Sequence, residues 1–304
     1  MGAVRENPHR EEAAAWQPAT TLTGAEYCSA EVFEQERERI FDAGWFCIGR
    51  EEEVSGSELL GAVDTWEGFV WVSRAPTPRP LAEHLARWAD ADPFQWGRYG
   101  IADLVIGVRA EYEVAANWKL VIENYNECLH CPGVHPALTE LIPVYRFGEV
   151  EERPGQDHGN LLRDGATSFT YSGRSQLPTL PGLSGDDIGV FNGTTLLPNL
   201  IVNLTSDTVS TFLLMPRAPN ATTVVSHYLF HPETISSSGF DPSAIVEFRD
   251  ALAREDWAVC ERTQLGNSSR SYAAGGILPY ADRYLDAFHA RYRAMMADTM
   301  STSA

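Results

Sequence analysis

Two imidazoles five residues apart, His130 and His135, are the side chains best placed to do chemistry. They sit in the stretch Asn117 to Pro136, NWKLVIENYNECLHCPGVHP. Imidazole suits zinc, copper, iron and nickel. Read as one helix ended by Pro132 and Gly133, the stretch puts Trp118, Val121, Ile122, Tyr125 and Leu129 on one apolar side. Glu123, Glu127 and His130 fall together on another, because residues three and four apart are helix neighbours. His135 follows in the turn. Glu127 is then either a ligand or the acceptor that orients a ligating imidazole. The plainer alternative makes both histidines core or surface residues and makes Cys128 and Cys131 packing residues. No glutamate follows His130, so this is not the H-E-x-x-H zinc pattern. A zinc knot of Cys128, His130, Cys131 and His135 would crowd four ligands into eight residues, with little chain left to wrap a tetrahedron.

A further carboxylate lies far away in sequence. Asp241-Pro242 supplies an N-cap and a proline at the first turn, and opens a long helix. Ile245, Phe248, Leu252 and Val259 mark its buried stripe, and Asp256 falls in the middle of it. A carboxylate there is costly to bury unless it is paired or binds a metal. Either it makes a salt bridge or polar contact to the core, or it is a third metal ligand.

The rest of the chain must position these groups. At 304 residues with 44% hydrophobic content, it is long enough to bury a sizeable core. Its formal charge of −19 argues against nucleic acid or an anionic membrane as partner. No apolar run is long enough for a transmembrane helix. The charged start, MGAVRENPHREEAAAW, has no apolar core of a signal peptide, so a cytoplasmic protein is expected. Five cysteines in such a chain do not suggest a disulfide framework. A single lysine, Lys119, stands against 22 arginines, which reads as coding bias.

Residues 1–23 read as a loose arm. A helix is expected from Ser29, as N-cap, to Phe41, with Val32, Phe33, Ile40 and Phe41 as its apolar positions. Residues 44–49 and Trp66 to Val72 read as strands, Pro80 to Ala89 as a short helix, and 101–115 as alternating strands. From 145 to 232 the chain is rich in β-branched residues. Turns are expected at Pro154-Gly155, Pro181-Gly182, Asn192-Gly193 and Pro198-Asn199, and antiparallel strands between them. A last helix is expected from Ala281 to Met295.

Two histidines and one buried carboxylate, with coordination positions left open, form the facial triad of non-haem iron(II) oxygenases. The motifs around them strengthen this. Asn117-Trp118-Lys119, Glu123-Asn124, Glu127, His130 and His135 resemble the signature of the catalytic domain of Rieske-type non-haem iron oxygenase α subunits. Glu255-Asp256-Trp257, Cys260-Glu261, Gln264-Leu265-Gly266, Ser268-Ser269 and Phe288-His289 resemble that family's closing helices. Trp66-Glu67-Gly68-Phe69-Val70 and Leu197-Pro198-Asn199 also match, and Gly44-Trp45 resembles the lead-in to the Rieske domain. The nearest branch acts on quaternary ammonium compounds such as glycine betaine, stachydrine or carnitine.

The resemblance implies that His130, His135 and Asp256 bind Fe(II). It implies that Glu127 is the acid that links a metal histidine to a Rieske histidine of a neighbouring subunit, and that Asn124 lies near the metal. It implies an α+β helix-grip fold: a curved antiparallel sheet around a cavity, closed by a long C-terminal helix, often in trimers. Residues 1–62 are then an N-terminal arm, helix and truncated remnant of the Rieske region, and 63–304 the mononuclear iron catalytic domain.

One departure outweighs the matches. Between Gly49 and Trp66 the family carries a whole domain, on the order of a hundred residues. Here there are sixteen, including Ser55-Gly56-Ser57, which reads as an engineered splice or a natural deletion. The pair C-x-H and C-x-x-H that a Rieske [2Fe–2S] cluster requires is missing, so no such cluster is expected in this chain. Leu129, where many relatives have Tyr, would remove a hydroxyl near the metal. Monooxygenation takes two electrons from outside the substrate, and three routes remain. A partner carrying a Rieske or ferredoxin cluster docks against Glu127; the substrate supplies the electrons; or the metal acts on bound water as a Lewis acid. The expectation is an Fe(II) oxygenase using O2 on a small organic substrate. The alternatives are a metal-dependent hydrolase or lyase on the same scaffold, and a non-catalytic subunit of a hetero-oligomer. Trp66, Trp71, Tyr171, Phe191 and Tyr228 are candidates for an ammonium-binding cage, with core packing as the competing reading.

Overall fold

A computed structural model describes Ala15 and residues 17–56, 58–90, 92–149, 159–278 and 282–298. Ser57, the turn expected at Pro154-Gly155, the start of the last helix at Ala281 and most of the expected arm lie outside these residues. Where the arm is described it is not loose. Ala19–Thr20 pairs antiparallel with Ile277–Leu278, and Leu22 is fully buried.

Ser29 caps a helix α1 (Ala30–Glu36) by accepting from the Val32 N–H, and the chain continues as a π-helix over Arg37–Asp42. Three strands follow: β1 (Phe46–Arg50), β2 (Ala62–Trp66) and β3 (Phe69–Ser73), in the order β1-β3-β2. Trp66 to Val72 is therefore not one strand. It contains a hairpin turn, with Glu67 at φ 49° and Gly68 at φ 75°. At Gly68 an added Cβ would lie 2.6 Å from the Arg50 guanidinium, so both conformation and space require glycine. The expected boundary at residue 62 falls on the first residue of β2.

Helix α2 (Leu81–Trp88) follows Pro80 as expected. The large sheet comprises β4 (Val105–Val114), β5 (Gly159–Leu161), β6 (Val190–Leu196), β7 (Leu200–Leu204), β8 (Val209–Ala218) and β9 (Ala221–Phe230). It is antiparallel throughout, in the order β4-β9-β8-β7-β6-β5. Asn192-Gly193 lies inside β6, not in a turn, because its ladder continues to Leu204 and Asn203. Helices α3 (Trp118–Asn126), α4 (Ser243–Asn267) and α5 (Arg283–Ala297) complete the architecture. The result is the α+β helix-grip arrangement. Helix α4 starts one residue later than expected, with Asp241 accepting from the Ser243 N–H. Val259 is only half-buried, and the stripe runs instead through Ala253, Trp257, Cys260 and Gln264.

Side chains alternate across a strand, so the two faces of the large sheet do different things. Val202, Leu204, Leu213, Val225 and Leu229 pack toward the small sheet, in one cluster with Trp45, Trp66, Phe69 and Trp71. The opposite face presents Asn203, Ser210, Phe212, Ser226 and Tyr228, all on the wall of a cavity. Their register is fixed across neighbouring strands: Asn203 opposite Ser210, Ser210 opposite Tyr228, Phe212 opposite Ser226. Both faces of the sheet are thus buried, one by apolar packing and one by the cavity and the helices over it.

Helices α1, α3 and α5 meet at one polar knot. Lys119 and Glu36 are fully buried, with Nζ 2.5 Å from Oε1. Trp118 Nε1 and Tyr292 Oη also donate to Glu36, at 2.9 and 2.8 Å. The single lysine therefore has a structural task that composition alone did not reveal.

Candidate metal centre

Helix α3 stops at Asn126, short of the metal motif. Glu127 is extended, at φ −131° and ψ 162°. The continuous helix expected to Pro132 is broken because the Glu127 carboxylate takes over the backbone locally: it accepts from the N–H groups of Leu129 and His130. Leu129 is turned outward, 45% exposed, and is not on the cavity wall. A hydroxyl at this position is therefore not directed at the cavity wall. Pro132 does not end a helix; it sits in the first turn of a short one, Cys131–Val134, where its missing N–H costs nothing. The expected meeting of Glu127 with His130 does occur, across a turn instead of a helix face.

The same turn brings Cys128 and Cys131 together as a disulfide, with Cα atoms 5.0 Å apart. This corrects the expectation of unpaired cysteines. Sulfurs bonded to each other are not thiolate ligands, so the zinc knot is excluded.

His130, His135 and Asp256 converge. His130 Nε2 lies 3.1 Å from His135 Nε2 and 3.3 Å from Asp256 Oδ1, and His135 Nε2 lies 2.8 Å from the same Oδ1. Among the described residues this is the group of three donors able to share one ion. Nitrogen and oxygen ligands sit about 2.0–2.2 Å from a transition metal. Two such bonds at right angles hold their donors about 3 Å apart, the spacing found here. The geometry therefore fits one face of an octahedron. The outer nitrogens reinforce it: His130 Nδ1 is 2.5 Å from Glu127 Oε1, and His135 Nδ1 is 2.7 Å from Glu255 Oε2. Each carboxylate accepts the Nδ1–H and leaves the Nε2 lone pair facing the centre. Glu255 went unrecognised in the sequence as a partner of His135, although its place next to Asp256 was the available signal. Asn124 Nδ2 approaches His130 Nε2 at 3.4 Å, so Asn124 does border the centre.

Charge follows geometry. Burial opposes protonation of His130, but hydrogen bonds to Asp256 and Glu127 outweigh it and push its pKa up to about 9. His135 also rises, burial being outweighed by Asp256. Asp256 is held below the usual carboxylate range, against the effect of burial, by its bonds to both histidines. The metal-free cluster therefore favours a bound proton, with which a metal ion would compete.

The centre opens into a cavity of about 300 Å³ between the large sheet and helices α3, α4 and α5. Phe191 and Tyr228 line it, as the cage reading required. Trp66 and Trp71 do not; they belong to the small-sheet core. Tyr171 is 53% exposed and meets Phe248 edge to face outside it. Tyr125, Tyr145, Phe169, Phe212 and Tyr284 also line the cavity, and none of them was read as part of a cage in the sequence. Gly193 makes room for one of them. An added Cβ there would sit 2.0 Å from Tyr125 Oη, which donates to Asn203 Oδ1 at 3.0 Å.

With this geometry in hand, comparison with known proteins is direct. The model of the ring hydroxylating alpha subunit (catalytic domain) matches residues 101–298. The chain belongs to this family. The glycine betaine monooxygenase oxygenase subunit of Chromohalobacter salexigens is 27% identical over 262 residues, which cover 74% of this chain and 58% of that one. The carnitine monooxygenase oxygenase subunit of Escherichia coli K12 is 24% identical, covering 70% of this chain and 54% of that one. The chain thus spans little more than half the length of these relatives. The fold matches the quaternary ammonium Rieske monooxygenase CntA with a TM-score of 0.70 at 17% identity, over 97% of this chain and 99% of that one. Naphthalene 1,2-dioxygenase from Rhodococcus matches at 0.61 and 14% identity, over 92% and 95%. Among the described residues no helix is long and apolar enough to cross a membrane.

Proposed function

We propose that this chain is a mononuclear non-haem iron(II) oxygenase acting with O2 on a small quaternary ammonium compound. The observation that carries the reading is the convergence of His130 Nε2, His135 Nε2 and Asp256 Oδ1 at octahedral-face spacing, on the wall of the cavity. These three would hold Fe(II) and leave positions free; the iron, when bound, supplies O2 activation. Glu127 and Glu255 fix the histidine tautomers. Asn124 borders the open side. Phe169, Phe191, Phe212, Tyr125 and Tyr228 exclude water and offer aromatic faces to an ammonium group. Glycine betaine and carnitine, for which the two relatives are named, both carry such a group.

Electrons come from the substrate or from a partner protein carrying a cluster. Glu127 is compatible with both routes: its bonds within the chain orient His130, and its partly exposed carboxylate retains a lone pair for a partner's donor. Residues 63–304 are the catalytic unit and 1–62 the remnant of the Rieske region, assembled as a homo-oligomer. The test is elemental analysis for iron, zinc and acid-labile sulfide on protein purified without chelator, followed by O2 uptake with and without a reductase and ferredoxin. About one iron per chain and no sulfide is the expected result; O2 uptake that needs the reductase and ferredoxin assigns the two electrons to a partner protein, and uptake without them assigns them to oxidation of the substrate. Zinc that iron cannot replace with activity would move the reading to a hydrolase or lyase. Full activity of a complex containing Asp256→Ala would make this chain a non-catalytic subunit.

A further inference from the structure

Seven residues before Asp256 on α4, two helical turns away and on the same cavity wall, lies Arg249. It is 6% exposed. Its Nη1 donates to Ser210 Oγ at 2.9 Å and its Nη2 to Thr205 Oγ1 at 3.3 Å, both neutral acceptors. Its Nε has no partner. The guanidinium lies over the Phe169 ring, 4.6 Å from the centroid. No carboxylate reaches it within salt-bridge distance among the described residues. The nearest acid in its hydrogen-bond chain is Asp207, already engaged by Ser175 at 2.6 Å and reached from Arg249 only through Thr205.

Arginine stays charged in proteins. A buried charge without a paired counter-ion is strongly destabilising, so such groups are normally paired. The two other buried cations among the described residues are met more fully: Lys119 is joined directly to Glu36, and Arg50, also without a carboxylate, donates to the backbone carbonyls of Glu67, Ile101 and Leu104. Arg249 has only two neutral hydroxyls, and it has them on the wall of the cavity that holds the metal centre. Its guanidinium also retains N–H groups in a planar fork, the geometry that matches a carboxylate.

We propose that Arg249 is the anchor for a carboxylate on the substrate, so that this chain takes a small zwitterion carrying both an ammonium and a carboxylate. The inference rests on reading this cavity as the substrate site. About 10 Å of helix axis separates Arg249 from Asp256. A molecule held by its carboxylate at Arg249 extends along the aromatic wall toward the metal centre, so the group farthest from the carboxylate reaches the iron ligands. Arg249 thereby selects acids over alcohols and hydrocarbons, and selects which carbon is presented.

The test is binding, not turnover. Calorimetry on iron-loaded, anaerobic protein compares glycine betaine and L-carnitine, each with its own carboxamide, which keeps shape and ammonium but loses the negative charge. At least one acid should bind about 10- to 100-fold tighter than its amide, as expected for charge-assisted hydrogen bonds to a buried fork. Arg249→Gln should abolish that preference, and Arg249→Lys should keep part of it. Iron content and Tm of each variant are measured on the same samples, so a lost metal site would be seen separately and would count against the functional reading alone. Acid and amide binding equally, or neither acid binding, overturns the proposal. So does a lowered Tm in Arg249→Gln with the acid preference intact, which would make Arg249 a structural partner of Asp207.

Discussion

At the start of α3, Lys119 meets Glu36 in a knot where Trp118 and Tyr292 also donate to the carboxylate. Just past its end, His130 and His135 turn their Nε2 atoms toward Asp256 and toward one another. Both clusters are largely buried, and both join segments distant in sequence. In the first, opposite charges answer each other and the knot is complete without any further component. In the second, three acceptors crowd one point, which is unfavourable until a proton or a metal sits among them. A protein can bury charge to hold helices together or to hold an ion. The second use shows as donors arranged around a point instead of around each other.

Several experiments press on that contrast. The widest separation is expected from two substitutions side by side. Lys119→Met leaves Glu36 buried and unpaired and should cost about 3–5 kcal/mol in urea unfolding. Asp256→Ala should abolish iron binding and turnover while changing the stability of the metal-free chain far less. If both variants unfold alike, the two clusters are equally structural. Next come the outer carboxylates. Glu127→Gln and Glu255→Gln should weaken iron affinity about 10- to 100-fold in a metal-competition titration. Glu127 should show the larger effect, since its side chain is 15% exposed against 42% for Glu255.

A subtler effect is expected from pH. His130 gains protons on folding, with its pKa raised from 6.5 to about 9. That contribution is fully present below about pH 6.5 and is lost as pH rises through about 9. The metal-free chain should therefore melt at a lower temperature at high pH, a loss that His130→Gln largely removes. The loaded chain should do the reverse and release iron as pH falls, because protons compete for the same nitrogens. Smallest of all, Gly193→Ala should cost about 1–3 kcal/mol by pushing Tyr125 off Asn203. It should leave iron content unchanged.

Much of the site was legible because its ligands are chemically distinctive. His130, His135 and Asp256 stood out by residue type, and Asp256 also by falling in an apolar stripe. The path of the chain between them was not legible. Periodicity carried a helix through Leu129, but it could not register that Glu127 would bond to the backbone ahead of it and stop the helix at Asn126. Trp66 and Trp71 had the right chemistry for a cage but lie on the small sheet, across the large sheet from the cavity, a matter of tertiary arrangement that composition does not carry. Lys119 looked like a codon accident because the partner that explains it, Glu36, lies more than eighty residues away. Arg249 was invisible for the opposite reason: its interest lies in the partner it lacks.

The break after Asn126 carries one more consequence. Two imidazoles are delivered by a turn, and the carboxylate that completes them arrives 121 residues later on α4. An unfinished chain emerging from the ribosome therefore exposes a pair of histidines and nothing to close the cage. On the proposed function, iron would not be captured with full strength until α4 has emerged and docked. Loading of the metal would then be tied to the arrival of α4, and a product truncated before it should stay empty.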